Sequence, residues 1–183
     1  MRVLIFVLAV LAGSLAAEPV FILELGMKGI LKPGVHTPGL EMIRGAWRKA
    51  GKNTKLIIRG DALPAWQKYS FTFIPQKAGY AELTLKSSSP LSVAFDDISV
   101  TGGASILNGG FENLRAEHKT PVGWGVSYET MTTISPVSGT YCIAVTSKQH
   151  AVQSFHVNAK EEIKLEFYVR SAFNDKNQLE NQK

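Results

Sequence analysis

One cysteine, Cys142, stands in the chain of 183 residues, so no disulfide can form within it and the fold must be held by its core, helped at most by a metal. Cys142 lies in the apolar run Tyr141-Cys142-Ile143-Ala144-Val145 with no local motif that presents a histidine, which reads as a buried strand cysteine rather than a nucleophile. Histidine is scarce as well. His36, His118, His150 and His156 include no metal-site spacing such as His-x-x-x-His, and no serine sits in a nucleophile elbow. Asp61, Glu82, Asp96, Asp97, Glu112, Glu117 and Glu129 fall in no spacing that places the two opposed carboxylates of a glycosidase. An enzyme is therefore not expected.

Long apolar runs are missing too. Val3 to Ala12 is the single candidate and is too short to span a bilayer comfortably. With Arg2 ahead of it and Gly13, Ser14, Ala16 and Ala17 behind, residues 1–17 read as a signal peptide, which implies a secreted or extracytoplasmic protein with no membrane span. The excess of 20 Lys and Arg over 15 Asp and Glu is spread rather than clustered, and nothing in it calls for nucleic acid. Residues 28–59 are the basic exception, with Lys28, Lys32, Arg44, Arg48, Lys49, Lys52, Lys55 and Arg59. Such a stretch could suit an anionic polysaccharide or an acidic surface, but a plain solvated loop region is the favoured explanation.

What is present is mostly strand. Val20 to Leu25 is an apolar run of β-formers, Pro33-Gly34 and Pro38-Gly39 mark turns, and Lys55 to Arg59 is a short strand. Leu40 to Lys49 reads as a short helix weakened by Gly45. Tyr69, Phe71 and Phe73 alternate with Ser70 and Thr72, and Ala81, Leu83 and Leu85 with Glu82, Thr84 and Lys86, giving strands with one wet face. Trp124 to Met131, Thr140 to Thr146 and Ala151 to Val157 follow, and Ile163, Leu165, Phe167 and Val169 alternate with polar neighbours. Short strands separated by turn signals predict an all-β antiparallel sandwich over residues 18–173, with a polar tail at 174–183.

The chain is organised around Val93 to Phe111. Gly102-Gly103 between two apolar runs predicts a tight hairpin in which 101 faces 104, 99 faces 106 and 97 faces 108. That pairing gathers Asp96, Asp97, Asn108 and Glu112. Alternation puts Ala94, Asp96, Ile98 and Val100 on one face, so Asp96 is expected to point inward with the apolar pair. A buried carboxylate needs compensation. It can come from a calcium ion held with Glu112 and backbone carbonyls, or from backbone amides or a basic side chain.

Leu107-Asn108-Gly109-Gly110-Phe111-Glu112 followed by Pro121-Val122-Gly123-Trp124 resembles the opening of jelly-roll carbohydrate-binding modules of the galactose-binding-like superfamily. Trp66-Gln67-Lys68-Tyr69-Ser70-Phe71-Thr72-Phe73 and Phe95-Asp96-Asp97-Ile98-Ser99-Val100 resemble the closing half of the same module. The resemblance implies a jelly-roll sandwich with a structural calcium where the first and last strands meet, at Asp96 and Glu112. It covers nearly all of the mature chain in inverted order, residues 18–101 being the back half and 104–173 the front. One circularly permuted module, and so a monomer, is expected; its rivals are two incomplete tandem modules pairing between chains, or a piece of a larger gene product.

The implied function is non-catalytic binding of polysaccharide, which needs exposed aromatic faces for sugar C–H surfaces. Candidates are Trp47, Trp124 and Tyr128, with Tyr168 on a wet strand face, while Trp66 is expected in the core. Trp124 stands between core and site. A sandwich of this class also serves protein–protein contact or surface attachment without a sugar site. The two are told apart by whether aromatics gather on one face.

Overall fold

The structure, a computed structural model, describes residues 19–46, 53–127, 130–132 and 135–172. The leader expected at 1–17, the tail expected at 174–183, Trp47 and Tyr128 lie outside the described residues. Among the described residues the regular elements are all strands: β1 (Val20–Lys28), β2 (Leu31–His36), β3 (Glu41–Ala46), β4 (Asn53–Asp61), β5 (Gln67–Pro75), β6 (Gly79–Ser87), β7 (Ser92–Thr101), β8 (Gly125–Val126), β9 (Met131–Thr132), β10 (Cys142–Val145), β11 (Ala151–Val157) and β12 (Ile163–Ala172). They form two antiparallel six-stranded sheets, ordered β3-β4-β1-β6-β11-β8 and β2-β5-β12-β7-β10-β9, here sheet A and sheet B. Each sheet takes strands from both halves of the chain, so neither half forms a sheet face by itself.

Alternation explains the packing. Phe21, Leu23, Leu25 and Met27 of β1 face inward with Leu56 and Ile58 of β4 and Ala81, Leu83 and Leu85 of β6. Against them lie Tyr69, Phe71 and Phe73 of β5 and Ile163, Leu165, Phe167 and Val169 of β12. Phe21 sits where the sheets meet, its ring 5.2 Å from Tyr69, 5.7 Å from Phe167 and 6.2 Å from Phe95. Each of the buried Leu, Ile, Val, Phe and Met side chains contributes about 1.5–3 kcal/mol on burial.

Four expectations are corrected. The helix at Leu40 to Lys49 is a strand over its described part: β3 pairs with β4, Ile43 opposite Ile57, and tertiary pairing outweighs a weak local preference already lowered by Gly45. The hairpin at Gly102-Gly103 does not form. β12 occupies one edge of β7 from Ser92 to Thr101 and β10 takes Val93 to Phe95 on the other. The returning segment keeps one backbone hydrogen bond to β7, from Ile98 N–H to Gly109 O at 3.0 Å. Third, Asp96 does not share a face with Ile98. A bulge centred on Asp97, at φ 45°, shifts the register between Tyr168↔Asp96 and Glu166↔Ser99. Phe95 and Ile98 both face the core, and Asp96 is buried on the opposite side, beneath the loop that leads into β10. Fourth, Trp66 is half-buried on the outer side of sheet B rather than in the core. Its Nε1 donates to Ser135 O at 2.9 Å, and the Arg170 guanidinium lies 5.1 Å from its ring.

Candidate functional site

The motif residues do structural work. Asn108 takes a left-handed conformation, φ 53°, which its short side chain stabilises locally. Its amide donates to the carbonyls of Asn113 and Val122 at 2.8 and 3.2 Å, and its Oδ1 accepts Asn113 N–H at 3.0 Å. Gly109 lies so close to β7 that a Cβ there would overlap the Ile98 carbonyl oxygen. Phe111 is fully buried, 5.2 Å from Trp124. Trp124, one of the stacking candidates, is itself 0% exposed, and its Nε1 donates to the carbonyls of Leu107 and Asn108 at 3.1 Å each. It has no free face for a sugar and is corrected to the core.

The carboxylates clamp one loop. Asp96 Oδ1 accepts Asp97 N–H at 2.8 Å, and Oδ2 accepts Val137 N–H at 2.7 Å and Ser138 N–H at 3.5 Å. Ser138 Oγ donates to Asp97 Oδ1 at 2.8 Å, and Glu112 accepts Thr140 N–H at 3.0 Å and Tyr141 N–H at 2.9 Å. Burial pushes the Asp96 carboxyl up to about 6, helped by the charge of Asp97 and opposed by the three amides. Burial, then Asp96, pushes the Cys142 thiol up to about 12, so it stays protonated at neutral pH.

Backbone amides compensate both carboxylates. A hard cation would bind through oxygen lone pairs, and the amide N–H groups of Val137, Thr140 and Tyr141 compete for those of Asp96 and Glu112. The carboxylates are satisfied in the second of the two ways open to them, by backbone donors.

A groove of about 680 Å³ crosses the outer face of sheet A. Its walls come from the outward positions of four strands: Glu24 and Lys28 of β1, Asn53 and Lys55 of β4, Tyr80, Glu82, Thr84 and Lys86 of β6, and Val152 and Ser154 of β11, with His150 at one end. Gly26 opens the floor. It lies opposite Lys55 and Glu82, and a Cβ there would meet nothing within 4 Å. Tyr80 stands 71% exposed, edge-on to His156 at 5.6 Å between centroids. Glu24 Oε2 accepts from Lys86 Nζ at 2.8 Å and also from Lys55 Nζ. Burial raises the Glu24 pKa, but the two lysines outweigh it and hold the carboxyl below its ordinary range.

Tyr168, the remaining candidate, lies on the other sheet, with Lys68 Nζ 5.8 Å from its ring centroid. No two of the sequence-predicted stacking residues are brought together among the described residues. The groove was half-visible in sequence, since Glu82, Thr84 and Lys86 form the wet face of their strand. The same alternation in β1 puts Glu24, Gly26 and Lys28 outward, the signal that would have completed it.

Compared with known proteins, the chain matches no protein-family model, no curated protein and no solved structure.

Proposed function

We propose that this is a secreted, non-catalytic module that binds polysaccharide in the groove of sheet A, on a sandwich read as a jelly roll with its halves in inverted order. The groove carries the reading. It runs across four strands of a rigid sheet, has a floor left open by Gly26, and sets an exposed aromatic ring beside hydroxyl, amide, ammonium and carboxylate groups. Such a surface offers C–H stacking and hydroxyl fixing together, which is what a sugar chain needs. A second reading, a protein-binding or attachment face, is favoured by one observation: among the described groove residues Tyr80 is the one aromatic, not part of a row.

The test is retention of the purified protein in gels cast with soluble polysaccharides, comparing parent, Tyr80→Ala and Gly26→Val. A Cβ at position 26 meets nothing within 4 Å, and valine suits a strand. Retention of the parent, weakened in both variants with unchanged melting temperatures, supports the reading. Retention of no polysaccharide by the parent, or equal retention by all three proteins, overturns the groove as a glycan site.

A further inference from the structure

The groove holds more positive charge than its carboxylates balance, and the excess is placed at one point. Lys55 and Lys86 share a single oxygen of Glu24, so two ammonium groups stand side by side against one negative charge. Both the Lys55 and Glu24 side chains are mostly withdrawn from water, 19% and 16% exposed, while Lys86 is 38% exposed. Partly desolvated charges act more strongly than the same charges on an open surface. Glu82 faces the gap at Gly26 from β6, and Lys28 continues β1 two residues beyond it. The five Lys and Glu side chains of the groove, three Lys and two Glu, leave one net positive charge. Two of them, Lys28 and Lys55, come from the basic stretch 28–59, and the fold brings Lys86 to join Lys55 from a strand outside that stretch.

We propose that the groove selects an anionic polysaccharide, whose uronate carboxylate or sulfate ester docks on Lys55 and Lys86 beside Gly26. The proposal rests on the glycan reading above and narrows it. Glu24 is a positioning residue: it holds both ammonium groups at the floor and keeps the pair from splaying apart, and the more exposed Lys86 turns its remaining donors to the incoming oxyanion. The missing side chain at Gly26 gives the sugar ring room to lie close enough for that contact. Tyr80 then offers its ring to a neighbouring residue of the same chain.

Four polymers separate the outcomes: polygalacturonate for a uronate, a sulfated galactan for a sulfate ester, neutral xylan, and dextran sulfate as a polyanion on an unrelated backbone. Each is titrated against the full chain, Lys86→Met, Lys55→Met, and the control Lys148→Met, which changes a lysine in the turn between β10 and β11. Melting temperatures identify variants that fail to fold, and Lys86→Gln replaces Lys86→Met should that variant not fold.

The expected result is retention by polygalacturonate or the galactan, falling as salt is raised, with at least a tenfold loss in Lys86→Met and none in Lys148→Met. Which of the two polymers binds names the anion. Equal binding of xylan, untouched by Lys86→Met, overturns the anion selection and leaves the glycan reading standing. Binding of dextran sulfate as strong as that of either acidic glycan, with Lys148→Met as damaging as Lys86→Met, overturns it as undirected charge attraction. Retention by none of the polymers overturns this proposal and the glycan reading together.

Discussion

Asp96 is the residue whose environment makes the sharpest quantitative demand. Its carboxyl is fully buried and titrates at about 6, where an unburied aspartate titrates near 3.8. Between those values the folded chain holds a proton that the unfolded chain has released. Stability must then rise as pH falls from above 6 toward 4, and the contribution is lost again as pH rises through about 6. At about 1.4 kcal/mol per pH unit the whole effect is at most about 3 kcal/mol. Asp96→Asn removes it, since an amide has no proton to take up in this range; the absolute stability of the variant also reflects Nδ2 facing Asp97 N–H or Val137 N–H, both of which now meet a carboxylate oxygen. The slope with pH is therefore the clean quantity. Urea unfolding followed by tryptophan fluorescence at pH 7, 6 and 5, in chelator, measures it for both proteins, and histidines common to both cancel in the difference. The parent should gain about 1–2 kcal/mol on the variant between pH 7 and 5. Parallel slopes would refute the reasoning, and a parent that loses stability relative to the variant would reverse its sign.

Other outcomes follow from the same geometry. Gly109→Ala should cost about 1–3 kcal/mol, because its Cβ would overlap the Ile98 carbonyl and push the segment off β7; an unchanged urea midpoint would contradict that contact. Trp124→Ala should cost about 3–5 kcal/mol, as expected of a fully buried tryptophan, and circular dichroism melts would show it, a shift under a degree or two placing the ring at the surface instead. Gly26→Val, by contrast, should leave stability unchanged or raise it by about 0.5–1 kcal/mol, since it adds a β-former in open space; a clear loss would mean that the floor is not open. Calcium added after chelation should leave the melting temperature unmoved while amides face Asp96 and Glu112; a rise of several degrees would show that the loop at Val137 to Tyr141 turns its carbonyls inward.

The sequence by itself determined the all-β class and the inward face of its regularly alternating strands. Alternation in Tyr69, Phe71 and Phe73, in Ala81, Leu83 and Leu85, and in Ile163 to Val169 depends on a period of two that any half-buried strand must show, so those residues face inward wherever their strands lie. It did not determine partners. Gly102-Gly103 carries the local signal of a hairpin, yet the strand before it has its edges taken by β12 and β10, which lie more than forty residues further on in the chain. One bulge at Asp97 reversed the face of Asp96, because a single extra residue changes the parity of everything on one side of it. The groove belongs to the tertiary structure for the same reason. Lys86 reads as a wet-face position, Glu24 as a lone charge in an apolar run and Lys55 as the start of a short strand, and long-range strand pairing, β4 with β1 and β1 with β6, sets the three side by side on one sheet.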